Sequence, residues 1–379
     1  MSDDKIRWWW TEIGEPEIRS VEKAIRARHI NRGPVCLEVE NRIAEILGVP
    51  HVVLTTNGSA ALVLALLACD VGPGDEVIVP AATFIATAHA PLLLGAKVRL
   101  VDVLPDRPLI DTAGIEAAIT ERTKAIICVH LNGAVCDMPA INAVAARHGL
   151  KVIEDCAQAL CSRGPGGYCG AGANIGTFSM SIAKLITTGE GGFLSVTDDD
   201  LHTRLMKLRN QGVMTVADNV FDGFGFNLRF NDILAAVALA QVARLPAKIE
   251  GVKRVYQFYR RHLADLPYLR MLEIRVDRGE VPLWSQALCA DRDKVILLLA
   301  ERGVEARALN PCLADSKHLG NSGTFPNARV YASCGLTLPC GPDQPQEALE
   351  RTAAALREIA GQIDTDLQAF MDRARHERD

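Results

Sequence analysis

Lys184 stands between a hydroxyl-bearing stretch, Thr177-Phe178-Ser179-Met180-Ser181, and a glycine-rich run, Thr187-Thr188-Gly189-Glu190-Gly191-Gly192. A primary amine in that setting suits a phosphate-bearing aldehyde. Hydroxyls hold phosphate, glycines let the backbone approach closely, and the amine condenses with the carbonyl. A lone lysine is ordinarily a solvated surface charge, and here its neighbours argue otherwise. A second signal is Glu154-Asp155-Cys156-Ala157-Gln158, an acidic pair at the carboxyl end of an apolar strand, where open α/β sheets hold their ligands. An aspartate there can pair with a protonated ring nitrogen and keep a pyridinium cationic; strand-end carboxylates also cap helices or bind metal. Upstream, Thr56-Asn57-Gly58-Ser59-Ala60-Ala61-Leu62 makes a glycine turn that opens an apolar helix. Such an end offers unpaired N–H groups and a positive dipole to an anion. The plain alternative is an ordinary strand-turn-helix with Ser59 as cap.

The elements that must carry these residues alternate in the α/β manner over about the first 240 positions. Strands are expected over His51 to Thr55, Glu76 to Pro80, Lys97 to Val101, Ala125 to Val129 and Lys151 to Glu154. Helical patterns lie between them: Ala60 to Cys69, Ala86 to Leu94, Thr112 to Thr120 and Ala140 to His148. Two further strand-like runs, Ile175 to Met180 and Gly192 to Val196, are separated by a loop, and that break in rhythm marks the chemistry. From about Pro246 the texture changes to a long charged helix, a strand-like Val281 to Ala290, then helix, strand and a terminal helix around Gln346 to Ile363. The join falls near Val242 to Ile249, and the charge-rich tail Arg373 to Asp379 is expected to fray.

Composition narrows the function classes. A chain of 379 residues calls for two domains. With 49% hydrophobic and 23% charged residues and a formal net charge of −5, neither a polyanion-binding surface nor a disordered chain is indicated, which disfavours nucleic acid as a partner. The start, with Lys5-Ile6-Arg7 before Trp8-Trp9-Trp10, lacks the pattern of a signal peptide, and no apolar run is long enough to span a membrane. A cytoplasmic location is expected. The 11 cysteines include no C-x-x-C pair, so most, Cys156, Cys161 and Cys169 among them, read as small buried hydrophobes.

Taken in order, Asn57-Gly58-Ser59-Ala60-Ala61-Leu62, Gly74-Asp75-Glu76-Val77-Ile78-Val79-Pro80 with Thr83-Phe84, Val129-His130-Leu131-Asn132-Gly133, Glu154 to Gln158, Lys184 with Thr188 to Gly192, and Gly225-Phe226-Asn227-Leu228-Arg229 resemble one family. They are similar to the DegT/DnrJ/EryC1/StrS sugar aminotransferases, which are fold-type I enzymes dependent on pyridoxal 5'-phosphate. The likeness is good over about the first 245 residues and later rests on Leu336-Thr337-Leu338-Pro339.

The resemblance implies a large α/β domain, 1–245, with a mainly parallel seven-stranded sheet, a smaller α+β domain, 246–379, and a homodimer with shared active sites. It implies that Lys184 carries the cofactor as a Schiff base and shuttles the proton, while Asp155 pairs with the pyridine nitrogen. Gln158 would lie near the ring's phenolic oxygen and Phe84 would stack on the ring. Gly58, Ser59, the Ala60 backbone and Ser179 would hold the phosphate, with Asn227 reaching it from the neighbouring subunit. No metal is implied. The reaction would pass an amino group from glutamate or glutamine, through pyridoxamine 5'-phosphate, to a nucleotide-linked keto-deoxysugar. A cyclitol or other cyclic ketone is the alternative acceptor, and a non-catalytic binding or regulatory protein the reading outside enzymology. The family's dehydratases replace the lysine by histidine, and Lys184 argues against them. Seen alone, Phe84 suits a core, Gln158 a helix start, His130 a strand-end packing role or a pocket equally, and Trp8 to Trp10 packing or a dimer contact before a substrate mouth. Departures from the family pattern fall at Gln211, Leu234 and Asn310-Pro311, where they put the substrate's identity in question.

Overall fold

The computed structural model describes residues 5–215, 217, 221, 223–320 and 323–376. Two helices, α1 (Glu15–Arg26) and α2 (Pro34–Leu47), precede the first strand, β1 (His51–Thr55). The chain then alternates through α3 (Gly58–Ala68), β2 (Glu76–Pro80), α4 (Ala86–Leu93), β3 (Lys97–Val101), α5 (Thr112–Ala118), β4 (Thr123–Val129), α6 (Met138–His148) and β5 (Lys151–Asp155). A two-residue hairpin, β6 (Arg163–Gly164) with β7 (Gly167–Tyr168), leads to β8 (Ile175–Ser179) and β9 (Gly192–Val196). These strands, the hairpin apart, form the expected seven-stranded sheet in the order β1-β9-β8-β5-β4-β2-β3. Only β9 runs against its neighbours, pairing antiparallel with β1 and β8. Strands β2 and β9 are buried along their whole length, as a sheet covered on both faces requires. This explains why they read as unbroken apolar runs. Helix α3 is apolar nearly all round because it packs on the sheet and is itself covered by α4 and α7 (Asp199–Arg209).

Helix α8 (Asp232–Ala243) is followed after one residue by α9 (Leu245–His262), which leads into the smaller C-terminal domain. That domain continues through β10 (Leu269–Met271), β11 (Ser285–Cys289), α10 (Arg292–Glu301), β12 (Arg307–Ala308), α11 (Pro326–Cys334), β13 (Gly335–Leu338), α12 (Gln346–Ile359) and α13 (Leu367–His376). Its four-stranded sheet is antiparallel, in the order β10-β11-β13-β12. The N-terminal segment is tied to it by bridges from Ile6 to Val304 and from Trp9 to Cys340. A large domain with a mainly parallel seven-stranded sheet and a smaller C-terminal domain is the architecture that the resemblance implied.

Three details depart from the sequence reading. The strand expected from Val281 starts only at Ser285, since Pro282 has no N–H to give to a ladder. The tail does not fray from Arg373: Arg373 to His376 complete α13, whose buried Leu367, Met371 and Ala374 hold it to α11, while Glu377 to Asp379 lie outside the described residues. Helices α1, α2, α7 and α8 lie outside the strand-helix alternation by which the chain was read. All eleven cysteines are buried, and none forms a disulfide.

Candidate active site

Three connections, at the carboxyl ends of β1, β5 and β8, meet at one end of the large sheet. The first is the β1-to-α3 turn, where Asn57 caps α3 by accepting from the Ala60 N–H at 2.8 Å. This corrects the reading of Ser59 as the cap. The cap is Asn57 and not Ser59, and the Ala60 N–H is already engaged, so the N–H groups of Gly58 and Ser59 are the open donors at the helix start. Glycine at 58 lets this turn lie against Ser179, whose Cβ would be 2.9 Å from an added methyl. Gly192, on the adjacent β9, would place a Cβ 2.5 Å from the Asn57 carbonyl carbon, so both glycines are needed for close approach.

The second connection follows β5. Asp155 is buried, and its carboxylate accepts from the Thr87 hydroxyl at 2.9 Å and from the Ala157 N–H at 3.1 Å. Burial pushes its pKa up, opposed by the Ala157 and Thr87 hydrogen bonds and by the charge of Lys184. The third connection is the loop between β8 and β9. Its base is stitched by Met180 N–H to Gly191 O, Thr188 N–H to Met180 O and Lys184 N–H to Ser181 O, at 2.8, 2.9 and 3.1 Å. Lys184 projects from this loop into the cavity. Burial lowers its pKa to about 8, against the pull of Asp155 in the other direction. A neutral amine is thereby accessible near physiological pH, as a nucleophile or base requires.

A cavity of about 710 Å³ joins these parts. Its walls include Gly58, Ser59, Phe84, Asp155, Gln158, Ser179 and Lys184, all singled out from the sequence. Phe84 is 55% exposed, so it is a cavity wall and not a core side chain. Gln158 accepts from the Asn132 N–H through Oε1 at 2.8 Å, which leaves its amide NH2 as a donor toward the cavity. Ala60 does not line the cavity, and neither does Asn227 of the same chain. Asn227 is exposed, bridges to Asn210, and accepts from Arg229 Nε at 2.9 Å. His130 is fully buried beneath the site: its Nδ1 accepts from the Cys136 N–H at 3.1 Å and its Nε2 faces Glu154 at 2.8 Å, a packing role.

The structure also brings in residues that sequence reasoning missed. Thr87, Trp284, Gln286, Arg307 and Tyr331 line the cavity or orient its groups. No local pattern marks them; Trp284 and Arg307 arrive from the small domain. Trp8 lines the cavity as well, with the Arg307 guanidinium 4.3 Å from its ring centre, whereas Trp9 is core and Trp10 is exposed. The run is therefore split three ways, and of the three only Trp8 faces this cavity. Of the three departures from the family pattern, only Asn310 lines the cavity. The donor set matches a ligand with a phosphate at one end, an aldehyde at Lys184 and a basic ring nitrogen against Asp155.

The model of the DegT/DnrJ/EryC1/StrS aminotransferase family matches residues 11–357. The chain belongs to this family. The aminotransferase is 37% identical over 339 residues to GDP-perosamine synthase of Caulobacter vibrioides, spanning 86% of this chain and 90% of that protein. It is 38% identical over 323 residues to a UDP-N-acetyl-3-dehydro-α-D-glucosamine 3-aminotransferase of Acidithiobacillus ferrooxidans, spanning 84% and 87%. Among solved structures it is similar to DesV of S. venezuelae in complex with a ketimine intermediate, with a TM-score of 0.86, 31% identity and coverage of 92% and 95%. Among the described residues, no helix of the aminotransferase is long and apolar enough to cross a membrane.

Proposed function

We propose that this aminotransferase passes an amino group from L-glutamate or glutamine to a nucleotide-linked keto-sugar, with Lys184 as the base. The observation that carries the reading is the convergence on one cavity of a buried amine with lowered pKa, a buried carboxylate oriented by two hydrogen bonds, and the open N–H groups of a helix start. The names and activities of the two relatives support the substrate class. Pyridoxal phosphate fits this donor set, and when bound it supplies the electron sink that makes the donor's α-proton acidic.

The chain's own residues then divide the work. Gly58 and Ser59, through their N–H groups, and Ser179, through its hydroxyl, hold the phosphate at the positive end of α3. Asp155, ionised by the cation it faces, holds the proton on the ring nitrogen, and Thr87 keeps its carboxylate from turning. Gln158 donates toward the ring's oxygen, and Phe84 covers the ring face. Lys184, as the free amine, would take the donor's α-proton at Nζ and deliver it two bonds further along, the 1,3-transfer that transamination requires. Arg307, among the described residues the one cationic side chain besides Lys184 on the cavity wall, faces the anionic part of either substrate.

A homodimer is part of the proposal, with Asn227 of the partner subunit completing the phosphate site. Exposed apolar side chains support it: Ile18 and Ile25 on α1, Leu37 on α2, and Phe224 and Phe226 beside Asn227. The absence of disulfides among the eleven buried cysteines supports a reducing compartment, the cytoplasm. The test is the absorbance of the purified protein before and after L-glutamate. Loss of the lysine-bound cofactor band, and its return with a keto-sugar nucleotide but not with cyclitol ketones, is the expected outcome. A band that ignores every amino donor, or a Lys184→Ala variant with full turnover, refutes the proposal.

A further inference from the structure

Trp284 is held from three sides in a way that packing alone does not require. Its backbone is clamped by one side chain of the large domain: its N–H donates to Asn132 Oδ1 at 2.7 Å, and its carbonyl accepts from Asn132 Nδ2 at 3.0 Å. Its indole Nε1 donates to the carbonyl of Ala183 at 3.2 Å, the residue just before the reactive lysine. The indole face lies 5.0 Å from Lys184 Nζ, within range of an ammonium–ring attraction. Trp8 packs beside the indole, tilted by 58°, with ring centres 6.2 Å apart.

The clamp depends on an unusual backbone. Asn132 adopts φ 54°, a left-handed conformation that asparagine tolerates better than most residues, and Gly133 follows at φ 84°. A side chain on Gly133 would overlap the Val281 carbonyl, so glycine lets the two domains touch here. The same Asn132 donates its N–H to Gln158 at 2.8 Å. One asparagine thus ties together the small-domain tryptophan, the lysine loop and a cavity-lining amide.

We infer that Trp284 is a positioning residue for Lys184: it fixes the lysine loop through Ala183 and favours the ammonium form of the free amine through its ring, so that docking of the small domain sets the proton affinity of the base. This rests on the proposed role of Lys184. An indole face stabilises only the charged form, so it works against the burial that lowers the lysine's pKa. Lys184 then keeps a proton it has taken up long enough to deliver it, instead of losing it to solvent.

The test compares Trp284→Phe with Trp284→Leu in the full chain freed of cofactor. The two side chains are similar in size and leave similar space, so their difference isolates the aromatic face. The rate at which an amine-reactive reagent labels Lys184 is followed against pH by mass spectrometry of its peptide. The Leu variant is expected to titrate about half a pH unit or more below the Phe variant, and the acid limb of kcat to move the same way. Equal midpoints, or a lower one in the Phe variant, overturn the inference. If Trp284→Leu does not fold, Asn132→Gly keeps the ring and releases its clamp; its Lys184 midpoint is expected to fall below wild type, and an unchanged midpoint overturns the inference. If the midpoints shift as expected but Lys184→Ala keeps full turnover, the base assignment fails and the positioning contact stands.

Discussion

Replacing Lys184 by methionine should stabilise the cofactor-free protein. The amine's pKa falls from an ordinary 10.5 to about 8 in the folded chain, with burial as the cause. The unfolded chain therefore binds a proton more readily than the folded one between those values. The sign follows directly: wild-type stability rises as pH climbs from about 8 to about 10.5, and below pH 8 the full penalty is present. That penalty is about 3 kcal/mol at pH 7 and about 1 kcal/mol at pH 9.5. The attraction of Asp155 already lies within the net displacement. Methionine, of similar length and uncharged, removes the penalty but also gives up the ammonium contact with Trp284. Because Lys184 borders a cavity that water can enter, the expected gain is about 2 kcal/mol at pH 7, shrinking to less than half of that near pH 10. Urea unfolding of both proteins at the two pH values reads it directly. No gain at pH 7, or a gain that persists undiminished near pH 10, would refute the reasoning. A catalytic amine held at a cost to stability is what function at this site demands.

Other outcomes follow from single contacts. Glu40 receives Arg209 at 2.7 Å and Arg32 at 3.0 Å, and Glu40→Gln leaves Arg209 buried without its counter-charge; a loss of about 3 kcal/mol in denaturant unfolding is expected. Asn57→Ala removes the α3 cap, lowering stability by about 1 kcal/mol and weakening cofactor phosphate binding in a fluorescence titration. Gly192→Ala drives a methyl into the Asn57 backbone and should weaken cofactor binding more than Asn57→Ala does in the same titration. Thr87→Val removes a hydrogen bond that holds the Asp155 pKa down, so the acid limb of the kcat profile should move to higher pH; an unmoved limb would show that Thr87 does not tune Asp155.

Local pattern was enough to reveal the strands that carry the site and the residues at their carboxyl ends. Asp155, Ser179 and Lys184 lie where strand breaks and turn chemistry expose them, and such signals are short-ranged. Asn57 as cap was equally local, and was misread because Ser59 offers another capping oxygen two positions later. What the chain order could not reveal is whatever depends on segments far apart meeting. Thr87 reaches Asp155 across 68 positions, Trp284 reaches Ala183 across 101, and Asn132 meets Trp284 across 152. Trp8, Trp9 and Trp10 are chemically identical and adjacent, yet one lines the cavity, one is core and one is exposed. Periodicity tells which side of an element turns inward; only packing against the small domain decides whether inward means a core or a cavity wall.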